Sequence, residues 1–381
     1  MELKITMTPM APYFLGTERN ASYIGEQNSQ QSELKPYFIR SAELPSQSAL
    51  FGILRYLGIE KPSSDFRLSA QDKMNIGESS YNLLSDIAQE FGRIHSISPL
   101  MLADREDRRY IPAPRNCQPT TIKDNYGSFA SFDEFCVVAS MDGARYLPSQ
   151  YDEKKAWHGA QFLCLDDGKL YDSLFQTQVR VGINRQNQRK NEQEQESSGF
   201  FKKEYVILKS GYSFLFYANV DDAFRYKSDS IAYVGQGRSP FTVHMEKAEP
   251  GARQITIPSS CTPPIVKVNG KEQAVCYAVA LSDCFYPDEI ADLRGSCSFM
   301  MAESRDYRVF TTNYEAQSSR NRYRKHEHGL KLLQAGSVFL FFGKEGQTPQ
   351  EQMAAFQGLV YHPHAGIAGF NQFYFSDGVL N

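Results

Sequence analysis

Phe38-Ile39-Arg40-Ser41-Ala42-Glu43-Leu44-Pro45-Ser46-Gln47-Ser48-Ala49-Leu50-Phe51-Gly52-Ile53-Leu54-Arg55-Tyr56-Leu57 reads as a short extended piece, a Pro-Ser turn and a helix. Leu50, Ile53, Leu54 and Leu57 recur at i, i+3, i+4 and i+7, an apolar face that must lie on something. Ser46 or Ser48 caps the first turn, with Pro45 just outside it. Gly52 is the odd residue, since mid-helix glycine costs about 1 kcal/mol relative to alanine. Ser48, Gly52 and Arg55 share the face opposite the apolar stripe. That face is flat enough for another backbone to approach, and it ends in a guanidinium. With the open N–H groups of the first turn, it suits a phosphate chain. Close packing of helix on sheet, with an ordinary surface arginine, accounts for the same residues.

Around this stretch, 381 residues suffice for one large or two medium domains. A net charge of −3 does not advertise a nucleic-acid binder, so an RNA partner would require basic residues gathered on one face. Aromatics make up 13% of the chain, scattered through short β-like runs, which suits a sheet-rich α+β protein. Seven cysteines without a C-x-x-C pair indicate neither a zinc site nor a disulfide framework. Met1 to Ile5 lacks the apolar core of a signal peptide, and no apolar run approaches the ~20 residues of a membrane span. The expectation is a cytoplasmic protein with reduced thiols and no membrane partner.

In chain order, Leu3 to Met7 alternates as a strand, and residues 17–35 read as a long polar loop. Ser79 to Phe91 has helical spacing of Leu83, Leu84, Ile87, Ala88 and Phe91. Met101 to Tyr126, with Pro112, Pro114, Pro119 and mixed charges, reads as a salt-bridged loop or, alternatively, a contact surface. Asp166-Asp167-Gly168 and Asn269-Gly270 are hairpin turns. Asp221 to Tyr226 reads as a short helix, and Thr348-Pro349-Gln350-Glu351 as a capping box opening a helix to Phe356. Cys261-Thr262-Pro263-Pro264 is a candidate linker, giving an N-terminal domain over 1–260 and a C-terminal domain over 261–381. Trp157 reads as a core residue.

Basic residues gather in three places. Gln178 to Arg185 alternates polar and apolar residues, placing Arg180 on a face with Gln178, Gly182 and Asn184. The highly polar run 186–199 follows, then the strand Phe200 to Leu208 with Lys202 and Lys203. Two strands around a polar tip make a protruding hairpin or a mobile loop, and Arg185 adds charge at its root. Val234-Gly235-Gln236-Gly237-Arg238-Ser239 is a strand end and a glycine turn. Closely spaced glycines let N–H groups converge on an anion, and Arg238 adds a forked donor; a tight hairpin needs the same glycines. Arg320 to Lys325, with Arg322 and Arg324 around Tyr323, suits RNA or a solvated loop.

His326-Glu327-His328 and His362-Pro363-His364 pair imidazoles at i, i+2, but no acidic or cysteine cluster stands beside either. No nucleophile elbow, zincin motif or P-loop is present. The sequence thus points away from an enzyme and implies no metal or other cofactor. One histidine acting as a base would suffice for metal-free RNA cleavage, and that alternative stays open.

The run Pro45, Ser48, Leu50, Gly52, Leu54, Arg55 after an N-terminal strand resembles the RAMP superfamily of CRISPR-associated proteins. Three later segments resemble, in order, the third-subunit family of the Cmr (type III-B) effector complex. These are Val181-Gly182-Ile183 leading through the hairpin to Phe200–Val206, the Val234–Phe241 turn, and Leu332-Leu333-Gln334-Ala335-Gly336-Ser337-Val338-Phe339. Gln334 stands where the family has proline, and the C-terminal Gly366-Ile367-Ala368-Gly369-Phe370 is sparser in glycine than the usual form. The resemblance implies an α+β chain of two ferredoxin-like (RRM-like) domains with antiparallel sheets, long loops and a protruding β-hairpin. It implies a non-catalytic subunit that caps the complex, holds the 5′ tag of CRISPR RNA and sits beside a large polymerase-like subunit and backbone RAMP subunits. Target RNA would be met indirectly. RNA contacts would fall on Arg40, Ser48, Gly52, Arg55, Arg180, Gly182, Asn184, Arg185, Lys202, Lys203, Gly235, Gly237, Arg238, Ser239, Arg322, Arg324, Gly366 and Gly369. The alternatives are a CRISPR RNA-processing endoribonuclease and a protein scaffold without RNA contact.

Overall fold

Strand Glu2–Pro9 alternates as its sequence requires, sending Leu3, Ile5 and Met7 inward at no more than 1% exposure. In the computed structural model it pairs antiparallel with Tyr212–Val220 on one side and Ser239–Lys247 on the other. Asp229–Val234 closes that end of an eleven-stranded sheet. The structure describes residues 1–16, 37–60, 68–78, 81–84, 89–123, 126–140, 143–149, 161–172, 174–184, 199–235, 237–286, 290–307, 310–312, 323–325, 330–344 and 346–376.

Helix α1, Gln47–Leu57, lays Leu50, Phe51, Ile53, Leu54 and Leu57 onto the core above Glu2–Pro9. Ser46 is its cap, accepting the Ala49 N–H, while Ser48 accepts the hydroxyl of Tyr307 at 2.8 Å. Helix α2, Ala70–Ile76, opens on a Ser69–Asp72 capping box. The described architecture is mixed α+β, with mostly antiparallel sheets and few helices. Among the described residues no helix is long and apolar enough to cross a membrane.

Residues on both sides of Cys261 share cores. Tyr277, Val338 and Leu340 pack with Met101, Ile111, Leu215 and Tyr217. Ala365, Ala368 and Phe370 enter the core beneath α1, where Phe370 stacks on Tyr81. Strand Ile265–Val268 runs parallel to Glu134–Ser140.

Three sequence expectations change. Residues 101–126 are not a loop: they contain strands Met101–Asp104, Arg109–Pro112, Cys117–Lys123 and the start of Tyr126–Ser131. Each is short, and Asp104 tightens one turn by accepting the N–H groups of Glu106 and Arg108 and pairing with the Arg108 guanidinium. The described parts of 79–91 are turns rather than helix, because Asn82 and Gln89 hydrogen-bond to backbone in competition with a helical ladder. Residues 221–226 are likewise a turn. The Asn269-Gly270 turn forms with both residues at positive φ, and the Thr348–Glu351 capping box opens helix Pro349–Val360. Trp157 and His326–His328 lie outside the described residues.

The C-terminal segment is held by a histidine cap: Nδ1 of His362 accepts the Ala365 N–H at 3.1 Å. Burial, then the neighbouring His364, lowers the His362 pKa from 6.5. The neutral ring therefore contributes stability that is fully present above pH 6.5 and is lost as pH falls through the depressed folded value. Protection of the amides across 365–370, taken relative to the intrinsic exchange rate at each pH, should fall between about pH 7.5 and about pH 5.5. His362→Asn, which keeps a cap acceptor without a titrating group, should remove that change.

Candidate nucleic-acid interface

Strands Phe175–Asn184 and Gly199–Leu208 pair over ten residues, and Gln176 through Val181 are exposed throughout. The expected hairpin is thus present as a projecting ribbon. Residues directly opposite share a face. Arg180 opposes Lys203 and Gln178 opposes Tyr205. The Arg180 guanidinium lies 4.8 Å above the Tyr205 ring and donates to Gln178 Oε1 at 3.0 Å. Lys203 Nζ sits 3.7 Å from the centre of the Phe14 ring and 5.1 Å from that of Tyr205.

The other face of the ribbon carries half-exposed Val179 and Val181 with Lys202 and Glu204. Burial, then the nearby charges of Glu204 and Asp172, raises the Glu43 carboxyl above its ordinary range. The face of Arg180 and Lys203 thus carries no acid of the ribbon, while Glu204 shares the other face with Lys202. Gly182 opposes Phe201, and Asn184 ends the pairing. Strand Tyr37–Ile39 runs parallel along Phe201–Lys203, so exposed Arg40 follows the Ile39–Lys203 pair.

The glycine turn meets the ribbon through Phe14. A Cβ on Gly235 (φ +71) would stand 2.9 Å from the Phe14 carbonyl oxygen, and one on Gly237 would stand 3.2 Å from the Phe14 ring. Buried Ser239 accepts the Phe14 N–H at 2.9 Å. The glycines admit a neighbouring chain segment, and the serine hydroxyl positions Phe14. Arg238, held at φ 48, turns outward with its guanidinium 5.7 Å above exposed Tyr233. Arg180, Lys203, Gly235, Gly237, Arg238 and Ser239 thus come together around Phe14.

Six of the described cations are neutralised in place. Lys4, Lys73, Arg108, Arg115, Arg225 and Arg305 all have carboxylate partners. Among the described residues Arg180, Lys203 and Arg238 have none and rest on aromatic rings instead, as Lys169 does on Tyr126 elsewhere in the large sheet. Exposed cations on π-faces leave N–H donors free for phosphate while the rings offer surface for bases.

Other sequence candidates are spent within the fold. Arg55 donates to the carbonyls of Ile76 and Gly77 at the end of α2, where a cation offsets the helix dipole, and covers Phe91. Gly369 (φ +80) comes so close that a Cβ would be 2.7 Å from Gln47 Nε2, and its carbonyl accepts from that amide. Gly366 lies in the short helix Pro363–Ile367 beside Gln372. Gly52 differs: it is exposed, and a Cβ there would meet nothing within 4 Å. Close packing among the described residues therefore does not account for it. Arg185 and Arg322 lie outside the described residues, as do the side chains of Asn184 and Arg324.

Sequence reasoning missed Phe14, Tyr205 and Tyr233. Only Tyr205, alternating with Lys203 on its strand, carried a local signal. Among the described residues no group of three or more His, Cys, Asp or Glu side chains is placed to hold a metal ion.

No family model and no curated protein matches the chain. Its fold is similar to that of a chain in the cryo-EM structure of the Type III-B Cmr-beta bound to cognate target RNA, with a TM-score of 0.51 at 11% identity. That likeness covers 97% of this chain and 96% of the other. A chain of the Type III-B Cmr-beta bound to cognate target RNA and AMPPnP aligns over 88% of this chain and 86% of the other, at a TM-score of 0.44 and 11% identity. The likeness to the first extends over nearly the whole of both chains and is one of fold.

Proposed function

We propose that the chain is a non-catalytic RNA-binding subunit of a type III CRISPR effector complex. It caps the assembly and holds the 5′ tag of the CRISPR RNA beside the large polymerase-like subunit. The observation that carries this is the set Arg180, Lys203 and Arg238: cations on aromatic rings, without carboxylate partners among the described residues, in a chain of net charge −3. Phosphates lie along these three residues, and a base stacks on Tyr233. The fold likeness to a Cmr-beta chain supports the setting, as does the ordered set of sequence motifs.

The opposite ribbon face, with exposed Val179 and Val181, faces a backbone subunit. This observation also favours a second reading, a scaffold that meets protein alone. Open Gly52 on α1 lets a partner backbone approach there.

Two measurements test the reading. Labelled repeat-derived RNA with an intact tag should bind in EDTA in a tag-dependent and salt-sensitive way, without cleavage. Tyr233→Ala should weaken that binding by roughly 1–3 kcal/mol. Cleavage in EDTA would point to a processing nuclease, and no binding at low salt would point to the scaffold. Gly52→Ala should stabilise the free protein by about 0.5–1 kcal/mol, seen as a raised urea midpoint, because nothing among the described residues opposes the added methyl. It should also weaken incorporation into the complex. Unimpaired incorporation would remove Gly52 from the interface.

A further inference from the structure

Past Tyr233, the outer face of the large sheet is open. Strands Glu2–Pro9, Ser239–Lys247 and Asp229–Val234 bury one set of alternate residues and turn the other outward. Their register sets Asp229, His244 and Thr6 in one row and Ile231, Thr242 and Thr8 in the next. Further along the sheet the same face, at Leu215 and Tyr217, is covered by the second core. At this end Ile231 is 49% exposed, and an open depression of about 490 Å³ lies over the two rows.

The lining has a definite chemistry. Asp229 Oδ1 lies 2.9 Å from His244 Nδ1. That bond, ahead of the nearby carboxylate charges, raises the His244 pKa and favours the imidazolium. His244 Nε2 faces Glu246 at 3.8 Å, so the ring lies between two carboxylates. Thr242 and Thr8 hydroxyls are engaged with Thr8 O and Ser213. Ile231 supplies an apolar floor.

The charges around the depression are Asp229, Glu246 and Asp107 against His244 and Lys4, with Lys4 paired to both Asp107 and Glu246. Positive charge is not in excess, so the depression does not suit phosphate. It suits a neutral planar group rich in donors.

We propose that this depression is a guanine-selective base site. The Asp229 carboxylate, held in place by His244 Nδ1, takes the adjacent N1–H and N2–H₂ donors, and the ring lies on Ile231. Among the four RNA bases guanine alone presents two adjacent donors beside an acceptor on one edge. The site rests on the RNA-binding reading. Tyr233 and Arg238 follow on the same strand and turn, so a strand gripped there delivers its next base into the depression.

The test uses the full chain and single-stranded uridine octamers carrying one guanosine at each position in turn. One placement should raise affinity about tenfold over the all-uridine octamer, the low end of what a bidentate pair discriminates. Asp229→Asn should bring that guanosine-to-uridine ratio to one, whereas Arg180→Ala with Lys203→Ala should weaken both octamers and leave the ratio intact. A ratio of one everywhere, or a preference that survives Asp229→Asn, would overturn the guanine site and leave the RNA-binding reading standing. Should no octamer bind, that reading fails, and GMP alone decides the site. Saturation transfer to GMP over CMP, removed by Asp229→Asn, would uphold it, and equal transfer or none would overturn it.

Discussion

The contact between Phe14 and the turn at 235–239 fixes the geometry of everything near the candidate interface. Two glycines make room for it, and Ser239 anchors it by accepting the Phe14 N–H. The same ring then underlies Lys203 of the ribbon. A turn at one end of the large sheet and a hairpin from a separate three-stranded sheet are thereby joined through one aromatic side chain. The neighbouring Tyr13 braces the same junction by exchanging backbone hydrogen bonds with Val206 of the ribbon.

Charge placement follows from this frame. A chain with more acidic than basic residues can still bind a polyanion if its cations are left uncompensated in one place. Six other cations of the described structure are neutralised by carboxylates, and Arg55 spends its donors on helix-end carbonyls. On the ribbon, Glu204 is turned to the opposite face, so Arg180 and Lys203 share a ring rather than an acid. Two like charges directly opposite each other are unfavourable in themselves. Cation–π contacts offset part of that repulsion, and a bound phosphate would offset more.

Periodicity was a good guide wherever structure was local. The α1 stripe, the alternation of the hairpin strands, the Asn269-Gly270 turn and the Thr348 capping box all follow from residues within a few positions of one another. It failed where partners are distant. Arg55 looks like a phosphate ligand until Ile76 and Gly77 arrive beside it, and Ser239 looks like one until Phe14 does, 225 residues earlier in the chain. The glycines at 235, 237 and 369 were legible as special, but the reason lies in segments far from them in sequence. The apolar spacing of 79–91 matched a helix, yet Asn82 and Gln89 hydrogen-bond to backbone that a helix would need. Four-residue strands between charged turns, as in 101–112, are too short to show a period.

The central claim is that Arg180, Lys203 and Arg238 contact RNA phosphates. The most direct measurement is the salt dependence of tag-RNA affinity for the native chain and for the triple alanine variant. Each phosphate contact on a single strand contributes about 0.7 to the slope of log K against log salt. The triple variant should therefore bind with a slope shallower by roughly 2. An unchanged slope would contradict the account, whatever happened to the affinity itself.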